Sequence, residues 1–205
     1  MPHLHAPSKD ELSQLEPLNR LGLDRIVVVS TRHAADAAFQ VLTAHTVLGF
    51  DTESKPTFAK AEISQGPHVV QFSTLHTAYV FQLHDAGCCE IVSALLVSPK
   101  ITKVGFGLAG DHTQIMRTLG VRPQCVLDLN VIFREQGYVK ELGVRGAVAV
   151  VFKRRFVKSR KATTSNWANR QLSESQIVYC ANDAWAAIQV FHALGLMGTH
   201  TIGPA

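Results

Sequence analysis

The chain has 205 residues, 46% apolar and 18% charged, with a formal net charge of +4. That composition excludes a disordered or fibrous protein, and the length suits one domain with a substantial core. No apolar run approaches the ~18 residues of a membrane span. The N-terminus MPHLHAPSKDEL lacks the basic and apolar regions of a secretion signal, so a cytoplasmic protein is expected.

The expected elements follow in chain order. Residues 1–20 read as an N-terminal extension with a short helix over 10–15, and residues 21–205 as the domain proper. β-Branched content predicts a strand over 26–30, and the Ala35/Phe39 and Ala38/Leu42 spacing predicts a helix over 32–44. A second strand spans 46–53, and the stretch 55–67, with Pro56 and Pro67 near its ends, reads as a loop. Residues 68–74 and 77–83 are expected to form an antiparallel hairpin, followed by a helix over 90–97. Next come a strand over 101–106, a helix over 111–119, a short strand over 125–128 and helices over 129–136 and 141–152.

A basic run occupies 153–161, where six of nine residues are Lys or Arg and none is acidic. By itself such a run is a solvated loop, and it gains meaning only beside a site that handles phosphates. Ser173-Glu-Ser-Gln176 is a capping-box pattern that should open a long helix ending near Leu194. Strands come first and then alternate with helices, which predicts a mixed α/β sheet. The four cysteines (88, 89, 125 and 180) form no C-x-x-C or zinc spacing and are expected to be reduced.

The chemistry-bearing residues lie in three remote segments. In GFDTE, Asp51 and Glu53 are two apart on a strand and project from the same face, with Thr52 on the other. Two carboxylates this close repel unless a cation sits between them, and hard oxygen donors suit Mg²⁺ or Mn²⁺. In YCANDA, Tyr179 and Asp183 are four apart on a helix and share a face. Asp111 follows GFGLAG at the start of a helix, where the helix dipole alone would favour an acid. Each piece in isolation reads as structural; their order and settings together point to one site.

These segments resemble the DEDD superfamily of 3′–5′ exonucleases, in the branch with tyrosine in the third motif, near the ribonuclease D group and the Werner-type exonuclease domain. The resemblance covers roughly residues 24–196. It rests on GFDTE with Pro56 after it, VVQFST, KVGFG followed by Asp111, LDL, SNW at Ser165–Trp167, and LSESQIVYCANDAWAA. Val178 stands where the sister branch has histidine, and Lys158 aligns with a basic residue common in the Werner-like group.

The family implies a ribonuclease H-like mixed sheet flanked by helices, binding two divalent cations, Mg²⁺ or Mn²⁺. By resemblance, Asp51 would bridge both ions, Glu53 and Asp183 would complete the first, and Asp111 would support the second, partly through water. Such a pair, ~4 Å apart, clamps the attacking and leaving oxygens of an in-line displacement at phosphorus. Tyrosine, with a free pKa of about 10, is a poor base at pH 7, so Tyr179 is expected to orient the attacking water. Lys158, Arg154 and Arg155 would grip phosphates without reading bases. Trp167 is a candidate for stacking on a base, although a core role is preferred.

The expected partner is nucleic acid, DNA or RNA, with a single-stranded or frayed 3′ end, digested stepwise to nucleoside monophosphates. The chain ends soon after the third motif, without the extra helical domains of ribonuclease D, so a stand-alone exonuclease is expected. Two alternatives compete. One is a catalytically silent nuclease fold that only binds nucleic acid. The other takes Gly105-x-Gly107-x-x-Gly110, followed by Asp128, as a dinucleotide fingerprint of an oxidoreductase. Against the latter, Asp111 directly after the third glycine would put negative charge where a pyrophosphate must bind.

Overall fold

A computed structural model describes residues 3–57 and 63–196; part of the expected 55–67 loop therefore lies outside the described residues. Six strands form one mixed sheet: β1 (Ile26–Val29), β2 (Val47–Glu53), β3 (Val69–Ser73), β4 (Ala78–Gln82), β5 (Thr102–Gly105) and β6 (Val126–Asp128). Their order across the sheet is β1-β4-β3-β2-β5-β6. β2–β3 and β3–β4 pair antiparallel, and the remaining neighbours are parallel. The expected hairpin is β3–β4, and both strands are buried throughout because helices cover both faces of the sheet.

One face carries α2 (Arg32–Leu42), α3 (Ala86–Val97) and α4 (Ala109–Leu119), packed on Leu48, Phe50 and Phe72. The other carries the 20-residue α8 (Glu174–Ala193), with α5 (Leu129–Glu135) and α6 (Gly143–Phe152) beside it. Alternation along β2 decides what each side receives. Leu48, Phe50 and Thr52 share one face, whereas Gly49, Asp51 and Glu53 share the other. α8 makes its most extensive contact with β2, and Gly49 permits it: a Cβ there would overlap the Ala184 carbonyl oxygen and lie 3.2 Å from the Ile188 Cβ. The helix is also tied to the β3–β4 connection, where the Leu75 carbonyl accepts from Trp185 Nε1 at 2.9 Å and Gln189 Nε2 at 3.0 Å.

The capping box at Ser173 forms as its sequence implies, the Ser173 hydroxyl accepting from the Gln176 amide and the Gln176 side chain from the Ser173 amide. Three features differ from the sequence expectations. α3 starts four residues early, because the Asp85 carboxylate accepts from the Cys88 amide at 3.0 Å and caps an earlier turn. The basic run continues into a four-residue helix, α7 (Arg160–Thr163), capped by Ser159 and too short to leave an apolar period. The N-terminal extension, which includes α1 (Lys9–Gln14), packs on the body. Leu4 bonds to Gly137 and Val139, and Arg155 exchanges backbone hydrogen bonds with Glu16 and Leu18 at 2.8 and 2.9 Å.

The close approach at Gly49 gives a direct test. Gly49→Ala should lose about 1–3 kcal/mol of stability in urea denaturation, the usual cost of overpacking. Gly110→Ala, where a Cβ would meet nothing within 4 Å, should lose none.

Candidate active site

Asp51 and Glu53 end β2 on its α8 side, and Asp183 faces them from α8. One carboxylate oxygen from each lies within 4.8 Å of the others. Asp183 is buried; its Oδ2 is 2.6 Å from Lys158 Nζ, while its Oδ1 is buried with no hydrogen-bond partner among the described residues. Burial raises the Asp51 carboxyl well above its ordinary value, and the nearby Asp183 and Asp111 charges add to the shift. Burial, with Asp51 and Asp183 beside it, pushes Glu53 up to about 9. Asp183 is also raised by burial, against the opposing pull of Lys158. The arrangement fits a divalent cation: hard oxygen donors, an unpaired buried carboxylate oxygen, and mutual repulsion that a cation would offset.

Lys158 sits 5.3 Å from the centre of the Tyr179 ring, a cation–π distance. Burial works against its charge, but Asp183 and the other acids outweigh that and hold it above its ordinary pKa. Tyr179 stands one turn before Asp183, and its hydroxyl is 3.2 Å from Thr163 Oγ1 on α7. Burial and the Asp183 charge raise its pKa, so the phenol stays protonated near neutral pH.

Asp111 approaches from the opposite side of β2. Its Oδ1 accepts from the Thr52 hydroxyl at 2.5 Å, so it borders the three-carboxylate group without joining it. The residue between the two β2 carboxylates thus holds the fourth acid in reach. Burial raises the Asp111 pKa, with the Thr52 hydrogen bond opposing.

The remaining candidates divide. Arg154 is exposed, whereas Arg155 is half-buried, with an Nε that has no hydrogen-bond partner among the described residues. Trp167 is 1% exposed and packs with Val69, Val80 and Ala181, its ring centre 6.0 Å from that of Tyr179. The stacking candidate is therefore corrected: its faces are spent on the core. Asp128 is spent too, since it accepts from the Leu108 amide at 3.1 Å and caps α5 through the Asn130 amide at 2.9 Å. That disposes of its role in a dinucleotide fingerprint.

Thr52, Thr163 and Asn182 were not singled out by the sequence. Asn182 Oδ1 accepts from the Leu21 amide at 2.8 Å, and its Nδ2 donates to the Leu21 carbonyl. Only the adjacency of Thr52 and Asn182 to the site carboxylates could have flagged them. Two cavities meet at the Lys158–Asp183 pair. One, of about 670 Å³, runs between α8, residues 156–159 and residues 17–23; the other, of about 230 Å³, reaches Asp51, Gly107 and Asn130.

An acidic cluster shared between a strand and a facing helix of a mixed sheet offers a donor set suited to a divalent cation. A family model described as 3′-5′ exonuclease matches residues 26–199. The chain belongs to this 3′–5′ exonuclease family.

It is 26% identical to the Mus musculus bifunctional 3′-5′ exonuclease/ATP-dependent helicase WRN, over 83% of this chain and 13% of that protein. It is 25% identical to an Arabidopsis thaliana 3′-5′ exonuclease, over 72% of this chain and 52% of that one. The chain thus spans at most about half the length of these relatives.

Among solved structures, the Aedes aegypti Nibbler EXO domain superposes with a TM-score of 0.73 at 19% identity, covering 90% of this chain and 93% of that one. Trypanosoma brucei RNase D in complex with RNA U12 gives 0.73 at 20% identity, covering 95% and 66%. These neighbours establish the ribonuclease D-like fold. No helix among the described residues is long and apolar enough to cross a membrane.

The raised Glu53 pKa has a measurable consequence. Between about pH 4.3, the ordinary value for glutamate, and about pH 9, the folded metal-free protein binds more protons at this site than the unfolded chain. Stability should therefore fall as pH rises through that window. Denaturation in EDTA at pH 5.5 and 8.5 should show Glu53→Gln gaining on the wild type at the higher pH. An equal difference at both pH values would mean that Glu53 is not proton-loaded in the folded state.

Proposed function

We propose that the protein is a divalent-metal-dependent 3′–5′ exonuclease that removes nucleoside monophosphates stepwise from the 3′ end of a nucleic-acid strand. The observation that carries this is the convergence of Asp51, Glu53 and Asp183 within 4.8 Å, one helical turn from Tyr179. Asp51, Glu53 and Asp183 would hold a first Mg²⁺ or Mn²⁺, and Asp51 with Asp111 a second. When bound, such ions supply a water acidic enough to ionise near neutral pH and offset charge on the leaving 3′ oxygen.

The protein's own groups do the rest. Tyr179, protonated and fixed beside Asp183, orients the attacking water by hydrogen bond. Lys158 stands beside Asp183 as the cation nearest the scissile phosphate, and Arg154 and Arg155 extend the positive charge along the departing strand. A terminal nucleotide must leave its partner to reach a recessed cluster, and unstacking costs a few kcal/mol. Single-stranded or frayed ends are therefore the better substrates.

Digestion of end-labelled DNA and RNA oligonucleotides with Mg²⁺ or Mn²⁺ tests this reading. A blocked 3′ end should stop digestion and a blocked 5′ end should not, whereas cleavage of a circular single strand would overturn the polarity. Asp51→Ala should be folded and inactive; near-wild-type digestion by it would sink the metal mechanism. Tyr179→Phe should lose rate by ~10²-fold, the lower range for a positioned proton-handling group, while keeping metal affinity. Full activity in that variant would reassign Tyr179 to the core.

A further inference from the structure

Lys158 lines a third cavity, of about 430 Å³, on the side away from β2. Its wall is built by the N-terminal extension and α6 together with the basic loop. Four cations face it, Lys9, Arg145, Arg155 and Lys158, and no acid lines it among the described residues. Leu12, Phe156 and Val157 supply an apolar floor, with Val157 53% exposed.

Lys158 is paired with Asp183 at 2.6 Å, and Lys9, Arg145 and Arg155 form no ion pair among the described residues. Lys9 opens α1, whose capping box engages the Glu11 carboxylate with the Ser8 amide at 2.7 Å. The buried Arg155 Nε is a donor without a partner among the described residues, which an anionic oxygen would satisfy. Arg145 is close enough to help stabilise the Asp183 charge, so the groove and the carboxylate cluster share one field.

We propose that this groove carries the phosphate backbone of a single nucleic-acid strand upstream of its terminal nucleotide, with Lys9 and Arg145 as phosphate contacts. The inference rests on the exonuclease reading and deepens it by naming the strand's path. Three features fit a strand. The groove meets the carboxylate cluster at Lys158, its charge is all of one sign, and its apolar floor offers bases a surface while phosphates take the cations.

The test is binding of a 5′-labelled 12-nucleotide single strand in EDTA, read by fluorescence anisotropy across a salt series. The double variant Lys9→Ser/Arg145→Ser alters two exposed side chains. It should weaken binding ~10-fold at low salt and flatten the slope of log affinity against log salt by about 1.4, at about 0.7 per lost phosphate contact. Lys100→Ser/Arg122→Ser removes the same charge from exposed residues that line none of the three cavities, and should leave the slope unchanged. In the wild type, amide exchange across Lys9–Gln14 should slow when the strand is added.

An unchanged slope in the groove variant, an equal loss in the control variant, or unaltered exchange in α1 would overturn the groove and leave the exonuclease reading standing. A wild-type protein that binds no strand in EDTA would also overturn the groove, whereas only the absence of digestion with Mg²⁺ or Mn²⁺ would overturn the exonuclease reading.

Discussion

The site depends on how closely α8 lies against β2. Asp51 and Glu53 are fixed by the strand, and Asp183 and Tyr179 by the helix, so the gap between the two elements sets the gap between the carboxylates. Gly49, two residues before Asp51 on the same face, lets the Ala184 backbone lie where any side chain would push it away. Ala184 directly follows Asp183. The close backbone approach at Gly49 thus stands next to the acid that completes the cluster. The ties from Trp185 and Gln189 to Leu75 hold the same helix one turn further along. A rigid approach of this kind is what a cluster of like charges needs, because repulsion would otherwise spread the elements apart.

The charges are gathered without being balanced. Lys158 is the single ammonium in contact with the three-carboxylate group among the described residues, and it engages one oxygen of Asp183. The other Asp183 oxygen has no partner among the described residues, and burial beside Asp51 and Asp183 pushes Glu53 up to about 9. Structural ion pairs in protein interiors normally have their remaining lone pairs satisfied, because unpaired buried charge is costly. Here part of that cost is retained at the carboxylate cluster, where one Asp183 oxygen stays without a partner among the described residues. Thr52 adds a second sign of the same design. It keeps Asp111 at the border of the cluster by a hydrogen bond from an uncharged hydroxyl.

What was legible in the sequence was local. The two-residue spacing of Asp51 and Glu53, the four-residue spacing of Tyr179 and Asp183, and the Ser173–Gln176 box depend only on strand or helix geometry, and each appears as read. The hairpin of β3 and β4 was legible for the same reason. Contacts between remote segments were not. Nothing in GFDTE says that Thr52 will bond to Asp111, 59 residues away, and nothing in the basic run says that Lys158 will turn inward to Asp183. Trp167 illustrates the limit from the other side. A tryptophan near a nucleic-acid site is compatible with stacking or with the core, and only packing decides. The docking of the N-terminal extension left no side-chain pattern at all, because backbone groups of Leu4, Glu16 and Leu18 make its hydrogen bonds.

That docking divides the labour within the molecule. The carboxylates and Tyr179 lie inside the segment 26–199 matched by the exonuclease family, on a strand and helices set by the core. The basic loop that approaches them carries few buried apolar residues, and its position near Arg155 is fixed by pairing with Glu16 and Leu18, which precede the matched segment. The same stretch supplies Pro17, Leu18 and Arg20 to the larger cavity beside Asp183, and Asn182 binds it again at Leu21. Chemistry and access are therefore encoded separately. The family core places the carboxylates, and the residues ahead of it shape the walls of the cavity beside them. On the proposed reading, substitutions in that leading segment would change which strands reach the carboxylates, because its hydrogen bonds end on the basic loop at Arg155 and on α8 at Asn182, beside Asp183.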